Sequence, residues 1–209
     1  MVVRSILLDK QPGFYVDVGA HLPDRYSNTA WFYRHGWSGV NVEANPDLAE
    51  KLRHARRRDI TLNLGVAESE GELEFFRFSE PAVSTFSPEL AAEYEARGTG
   101  WKVVDRIQVP VRQLAGILDE FVPAGTSIDF LSVDVEGMDL EVLRSNNWDR
   151  YSPTVVLVEC HGNTCGEVAS DPAGQFMEEV GYVAVAKTFS TVVLMRREAA
   201  TTRSGLGSA

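Results

Sequence analysis

Short apolar runs rich in β-branched and aromatic residues recur along this chain, each followed by a segment of helical periodicity. Runs of this length, bounded by Gly, Pro or polar residues, are the pattern of strands buried on both faces in a parallel sheet. GFYVDVG at 13–19 is the first, followed by SGVNVE at 38–43, ITLNL at 60–64, IDFLSV at 128–133 and TVVLVE at 154–159. Residues 26–35 and 46–57 between the first three carry helical patterns, the second with Asn45 as N-cap and Pro46 at the first helical position. Strand, helix, strand in that rhythm predicts parallel strands joined by right-handed crossovers, and so an α/β fold.

The middle of the chain, residues 71–111, breaks the rhythm. ELEFFRF and VVDRIQVPV read as strands and PELAAEYEARG as a helix ended by Gly98, together an insertion near the sheet edge. Residues 112–121 and 139–145 supply further helices, and 181–186 with 191–196 form a C-terminal antiparallel hairpin. One domain over residues 1–198 is expected, with residues 199–209, rich in Ala, Thr, Ser and Gly, as a disordered tail.

A length of 209 residues with 44% hydrophobic content supports one core of this kind. The formal net charge of -10 argues against a protein that grips nucleic acid by neutralising phosphates. RHARRR at 53–58, the one basic run, reads as a solvated helix end. Two cysteines, Cys160 and Cys165, are too few for a disulfide framework or a four-thiolate zinc site. With neither a secretory leader nor an apolar run of ~20 residues, the expectation is a cytoplasmic protein that engages no membrane.

Chemistry concentrates where the strands end. Val16-Asp17-Val18-Gly19-Ala20-His21 delivers a carboxylate and then a glycine into a strand-to-helix turn, a place where backbone approaches a ligand closely. His21 and Pro23 occupy the positions where a dinucleotide fingerprint has its further glycines, which disfavours a pyrophosphate cradle. Glu43, closing the second strand ahead of Ala44, is placed to accept hydrogen bonds from ribose hydroxyls. Gly65, Val66 and Ala67 follow the third strand and border an adenine at the same edge. In LSVDVEG, Asp134 and Glu136 stand two apart as an apolar strand ends, which suits a general base or a ligand of a divalent metal. Glu159 and His161 add a third acid and an imidazole at the next strand end. No His and carboxylate spacing is diagnostic of a metal, so a divalent ion stays open.

Taken together, FYVDVGAHLPDRYSNT, GWSGVNVEANPDL, LNLGVAESEGELEF and DFLSVDVEGMDLEVL resemble, in order, segments of the FkbM-type methyltransferases over about residues 13–159. The resemblance implies a Rossmann-like class I methyltransferase fold, S-adenosylmethionine as methyl donor, and O-methylation of a sugar, glycan or secondary metabolite. Carried over by position, it implies Asp17, Gly19 and Ala20 along the methionine and ribose portion, with Glu43 at the ribose hydroxyls. Asp134 and Glu136 then fall on the methyl-transfer side. His21 stands where many members have asparagine. Two rivals remain, an NAD-dependent sugar-modifying enzyme on the same sheet and a non-catalytic nucleoside-binding protein. The missing glycines count against the first and the four retained carboxylates against the second.

Overall fold

The computed structural model describes residues 2–7, 10, 12–160, 168, 170–188 and 190–204. In chain order the first elements are α1 (Val2–Ile6), β1 (Phe14–Val18), α2 (Ala30–Arg34), β2 (Ser38–Val42), α3 (Pro46–Ala55) and β3 (Ile60–Leu62). The middle contributes β4 (Gly65–Val66), β5 (Gly71–Phe78), a 3₁₀ turn (Pro81–Val83), α4 (Pro88–Ala96) and β6 (Val103–Arg112). α5 (Leu114–Phe121), β7 (Phe130–Val133), α6 (Asp139–Arg144) and β8 (Val155–Glu159) follow. The last described are α7 (Pro172–Glu179), β9 (Tyr182–Lys187), β10 (Thr191–Arg196) and α8 (Arg197–Ser204).

Seven strands form one sheet in the order β3-β2-β1-β7-β8-β10-β9, parallel except that β10 runs antiparallel to both its neighbours. This is the Rossmann-like class I arrangement, with the expected C-terminal antiparallel pair inserted so that the last strand lies inside its predecessor. Period-two alternation divides the apolar residues between two cores. Val16, Val18, Leu131, Val133, Val156 and Val158 pack against α5, α6 and α7. Tyr15, Phe130, Val155 and Leu157 pack on the other face against Val3, Ile6 and Phe32 of α1 and α2. Strand order reverses at β1, whose neighbours are β2 and β7. A crevice opens at the carboxyl edge of such a switch point.

Three helices start as the capping rules require. Asn45, Ser87 and Asp171 each precede a proline at the first helical position and accept a backbone N–H from the first turn. α2 departs from expectation, beginning at Ala30 and not at residue 26. Tyr26 has φ +55°, outside the right-handed helical region, and the segment before α2 is held by side-chain contacts. The inserted segment is no extension of the main sheet. Together with β4, which precedes it, the segment builds a separate three-stranded sheet, β4-β6-β5, with its own cluster of Phe76, Phe78, Val83, Ala91 and Tyr94. α8 covers residues 197–204, running into the tail expected to be disordered from residue 199, and rests Ala199 and Ala200 on the second core. Among the described residues, no helix is long and apolar enough to cross a membrane.

Candidate active site

β1, β2, β7 and β8 run parallel, so the residues just past Val18, Val42 and Val133 converge with Glu159 at one edge. A cavity of about 140 Å³ lies there, walled by Gly19, His21, Glu43 and Ala44 from the first two strand ends. Asp134 and Glu136 from the end of β7, and Pro81, Ala82, Ser84 and Phe86 from the insertion, also line it.

Gly19 is required by geometry. Its φ is +79°, and a Cβ there would sit 1.8 Å from the carbonyl oxygen of Asp134. The missing side chain lets β1 and β7 close together where Asp134 leaves the sheet.

Glu43 is 6% exposed, and its two carboxylate oxygens each accept one backbone N–H, from His21 at 2.7 Å and Asn45 at 2.8 Å. Those bonds fix the carboxylate in the cavity wall and leave lone pairs for a ligand. Burial raises its pKa to about 7, against the hydrogen bonds that lower it. His21 takes φ +53°, and both its ring nitrogens are buried without a hydrogen-bond partner among the described residues. Burial holds its pKa below the ordinary value, so the ring stays neutral near pH 7, able to donate from one nitrogen and accept at the other.

At the other end, Asp134, Glu136 and Glu159 bring carboxylate oxygens within 4.8 Å of one another, a grouping with the donor set to hold a divalent cation. Asp134 reaches solvent through the cavity, yet the surrounding protein raises its pKa to about 6, with the Glu136 and Asp17 charges adding to it. Burial likewise lifts Glu159 to about 8 and Asp139 to about 7, with Asp134 raising both further. Glu136 has φ +52°, and the insertion holds it twice. Tyr94 Oη donates to its carboxylate at 2.6 Å and Thr85 Oγ1 to its carbonyl at 2.7 Å.

His21, Tyr26 and Glu136 are the three non-glycine residues with φ in the left-handed region among those described, and all three line this cavity. Each such residue costs about 1–2 kcal/mol. Strained backbone of this kind clusters at ligand-binding and catalytic sites in proteins generally.

The expected site residues divide accordingly. Gly19, His21, Glu43, Ala44, Gly65, Val66, Asp134 and Glu136 line the cavity. Ala20 and Ala67 are buried beside it without lining it. Asp17 faces away. Alternation turns its side chain to the α2 face, where the register places it in a polar row with Asn41 of β2 and Ser132 of β7. Thr29 Oγ1 donates to it at 2.5 Å, and it is 3% exposed. His161 lies outside the described residues. Sequence reasoning missed Phe75, which pairs with Phe86 at a 4.7 Å ring separation over Gly65. The alternation within ELEFFRF held that signal, but the facing ring lies eleven residues further on.

The raised carboxylates set a pH dependence. A carboxyl whose folded pKa exceeds its unfolded one adds stability below the unfolded value and loses it as pH climbs through the folded value. For Glu43, moved from 4.5 to about 7, the loss between pH 4.5 and 8 is about 3 kcal/mol. In a domain of this size that lowers the melting temperature by roughly 6–12 °C. A thermal unfolding series checks this, and Glu43→Gln flattens the slope.

Residues 17–184 match the methyltransferase FkbM domain family. None of the curated proteins matches the chain. The crystal structure of a methyltransferase FkbM from Methylobacillus flagellatus KT is similar in fold, with 12% identity and a TM-score of 0.52 over 88% of this chain and 43% of that one. This chain therefore spans less than half of that neighbour's length. A TehB-like SAM-dependent methyltransferase from Corynebacterium glutamicum matches at 10% identity and TM-score 0.40, over 92% of this chain and 86% of that one. A precorrin-6y C5,15-methyltransferase from Geobacter metallireducens GS-15 matches at 15% and 0.41, over 93% and 84%.

Proposed function

The chain belongs to the FkbM methyltransferase domain family, and we propose that it moves a methyl group from S-adenosylmethionine to a hydroxyl oxygen of a sugar, glycan or secondary metabolite. The cavity at the switch point carries this reading, because it joins a nucleoside-type end to an acidic end. Glu43 and the unpartnered His21 nitrogens supply fixed polar groups at the first. Gly65 and Val66, with Phe75 and Phe86, offer an apolar slot suited to adenine. These residues fit an adenosyl group without a pyrophosphate. When bound, S-adenosylmethionine would supply the electrophilic methyl of its sulfonium.

The protein's own part is to orient the acceptor oxygen and take its proton. Asp134, with a pKa near 6, is matched to proton abstraction close to neutral pH. Glu136 is held still by Tyr94 and Thr85 and orients the acceptor beside it. The insertion supplies one wall of the cavity through Pro81, Ala82, Ser84 and Phe86.

Calorimetric titration with S-adenosylmethionine and with NAD tests the cofactor, and methyl transfer across a panel of hydroxyl acceptors tests the reaction. Binding of NAD alone would overturn the methyl-donor assignment. Binding of S-adenosylmethionine with no turnover on any acceptor would favour a nucleoside-binding protein. Glu43→Ala weakens S-adenosylmethionine by about tenfold to a hundredfold, the loss of a charge-assisted bond worth about 1.5–3 kcal/mol. Unchanged affinity by calorimetry would remove Glu43 from the nucleoside site.

A further inference from the structure

Arg56 follows α3 within the basic run, where a solvated side chain is expected, yet it is 1% exposed. Its guanidinium turns inward onto the loop between β1 and α2. Nε and Nη2 donate to the Pro23 carbonyl at 3.1 and 2.6 Å, Nη2 to Ser27 Oγ at 2.7 Å, and Nη1 to Thr29 Oγ1 at 2.7 Å. A longer bond of 3.4 Å from Nη1 reaches Asn41 Oδ1 in β2. Asn28 pins the same loop to Ser132 of β7. The loop's other side is the cavity wall, where His21 and Tyr26 stand with left-handed backbones.

We infer that Arg56 is the positioning residue for the ligand-facing loop, touching no ligand and acting through Pro23, Ser27 and Thr29 on His21 and Tyr26. A planar fork is what three acceptors spread over seven residues require, and a lysine ammonium cannot meet them together. The loop has no regular secondary structure between β1 and α2, so these bonds replace the ladder that would otherwise order it.

The inference rests on the cavity receiving an adenosyl group, and its test separates the two ideas. The probe is S-adenosylhomocysteine, titrated into wild type, Arg56→Lys and Ser27→Ala, with amide hydrogen exchange of residues 19–29 followed in each. Ser27→Ala removes one acceptor and keeps the buried charge in place, so it serves if Arg56→Lys folds poorly. Arg56→Lys is expected to bind about tenfold more weakly and Ser27→Ala a few-fold more weakly, both with faster exchange in the loop. In a His21→Ala background the Arg56→Lys effect should shrink, because both act on one contact.

An equal effect in both backgrounds, or a lowered melting point with unchanged affinity, would make Arg56 a fold-stabilising residue only. If wild type itself fails to bind S-adenosylhomocysteine, the cavity reading falls, and exchange alone then judges Arg56. Unaltered protection of residues 19–29 in both variants would overturn it.

Discussion

Asp134→Asn lowers methyl transfer at saturating cofactor by about 10²–10⁴-fold and leaves the dissociation constant of S-adenosylmethionine nearly unchanged. Asparagine keeps the shape but cannot take a proton. The acidic end of the cavity lies across from Glu43, so the loss falls on the chemical step and spares nucleoside affinity. Glu136→Gln also lowers the rate, and it adds a diagnostic shift. The Glu136 charge helps raise the Asp134 pKa to about 6, so removing it moves the acid limb of the rate profile to lower pH. Near-normal turnover in both variants would clear both carboxylates of the chemistry and promote His161. Loss of wild-type activity on chelation, restored by magnesium, would reassign Asp134 and Glu136 from proton handling to metal binding.

The second large effect is structural. Gly19→Ala is expected to destabilise the domain by about 4 kcal/mol or more, placing it in the exceptional tail of single substitutions. Two causes add. The left-handed φ of +79° costs an alanine about 1–2 kcal/mol, and its Cβ would overlap the Asp134 carbonyl, which backbone cannot yield without parting β1 from β7. Gly36→Ala is the control. Its φ is +90° with no atom within 4 Å of the added carbon, so it bears the backbone cost alone. Thermal unfolding compares them, with roughly 2–4 °C expected per kcal/mol. Equal melting temperatures would show that the close approach at Gly19 is relieved cheaply. The folded fraction of Gly19→Ala should also bind S-adenosylmethionine poorly, since Gly19 itself lines the cavity and the added carbon displaces the β1 strand end.

Much of this was legible along the chain, because local rules act over a few residues. Apolar runs ending in a glycine or a carboxylate located β1, β2, β7 and β8, and parallel crossovers carry all their carboxyl ends to one edge, where Glu43, Asp134 and Glu136 line one cavity. Asn45-Pro46 marked the start of α3 because capping depends on neighbours in sequence. Other assignments depended on partners far away in the chain. Asp17 has the same local setting as a ligand-binding carboxylate, yet pleat and register turn it toward Asn41, Ser132 and Thr29. RHARRR looks solvated throughout, and only the loop folded against Arg56 distinguishes that arginine from Arg57 and Arg58. Tyr26 lies in a stretch of helical pattern but takes a left-handed backbone at the cavity. Periodicity and capping are fixed by chemistry within a turn or two of chain, whereas the face a side chain adopts, and the charge it can hold there, depend on what packs across from it.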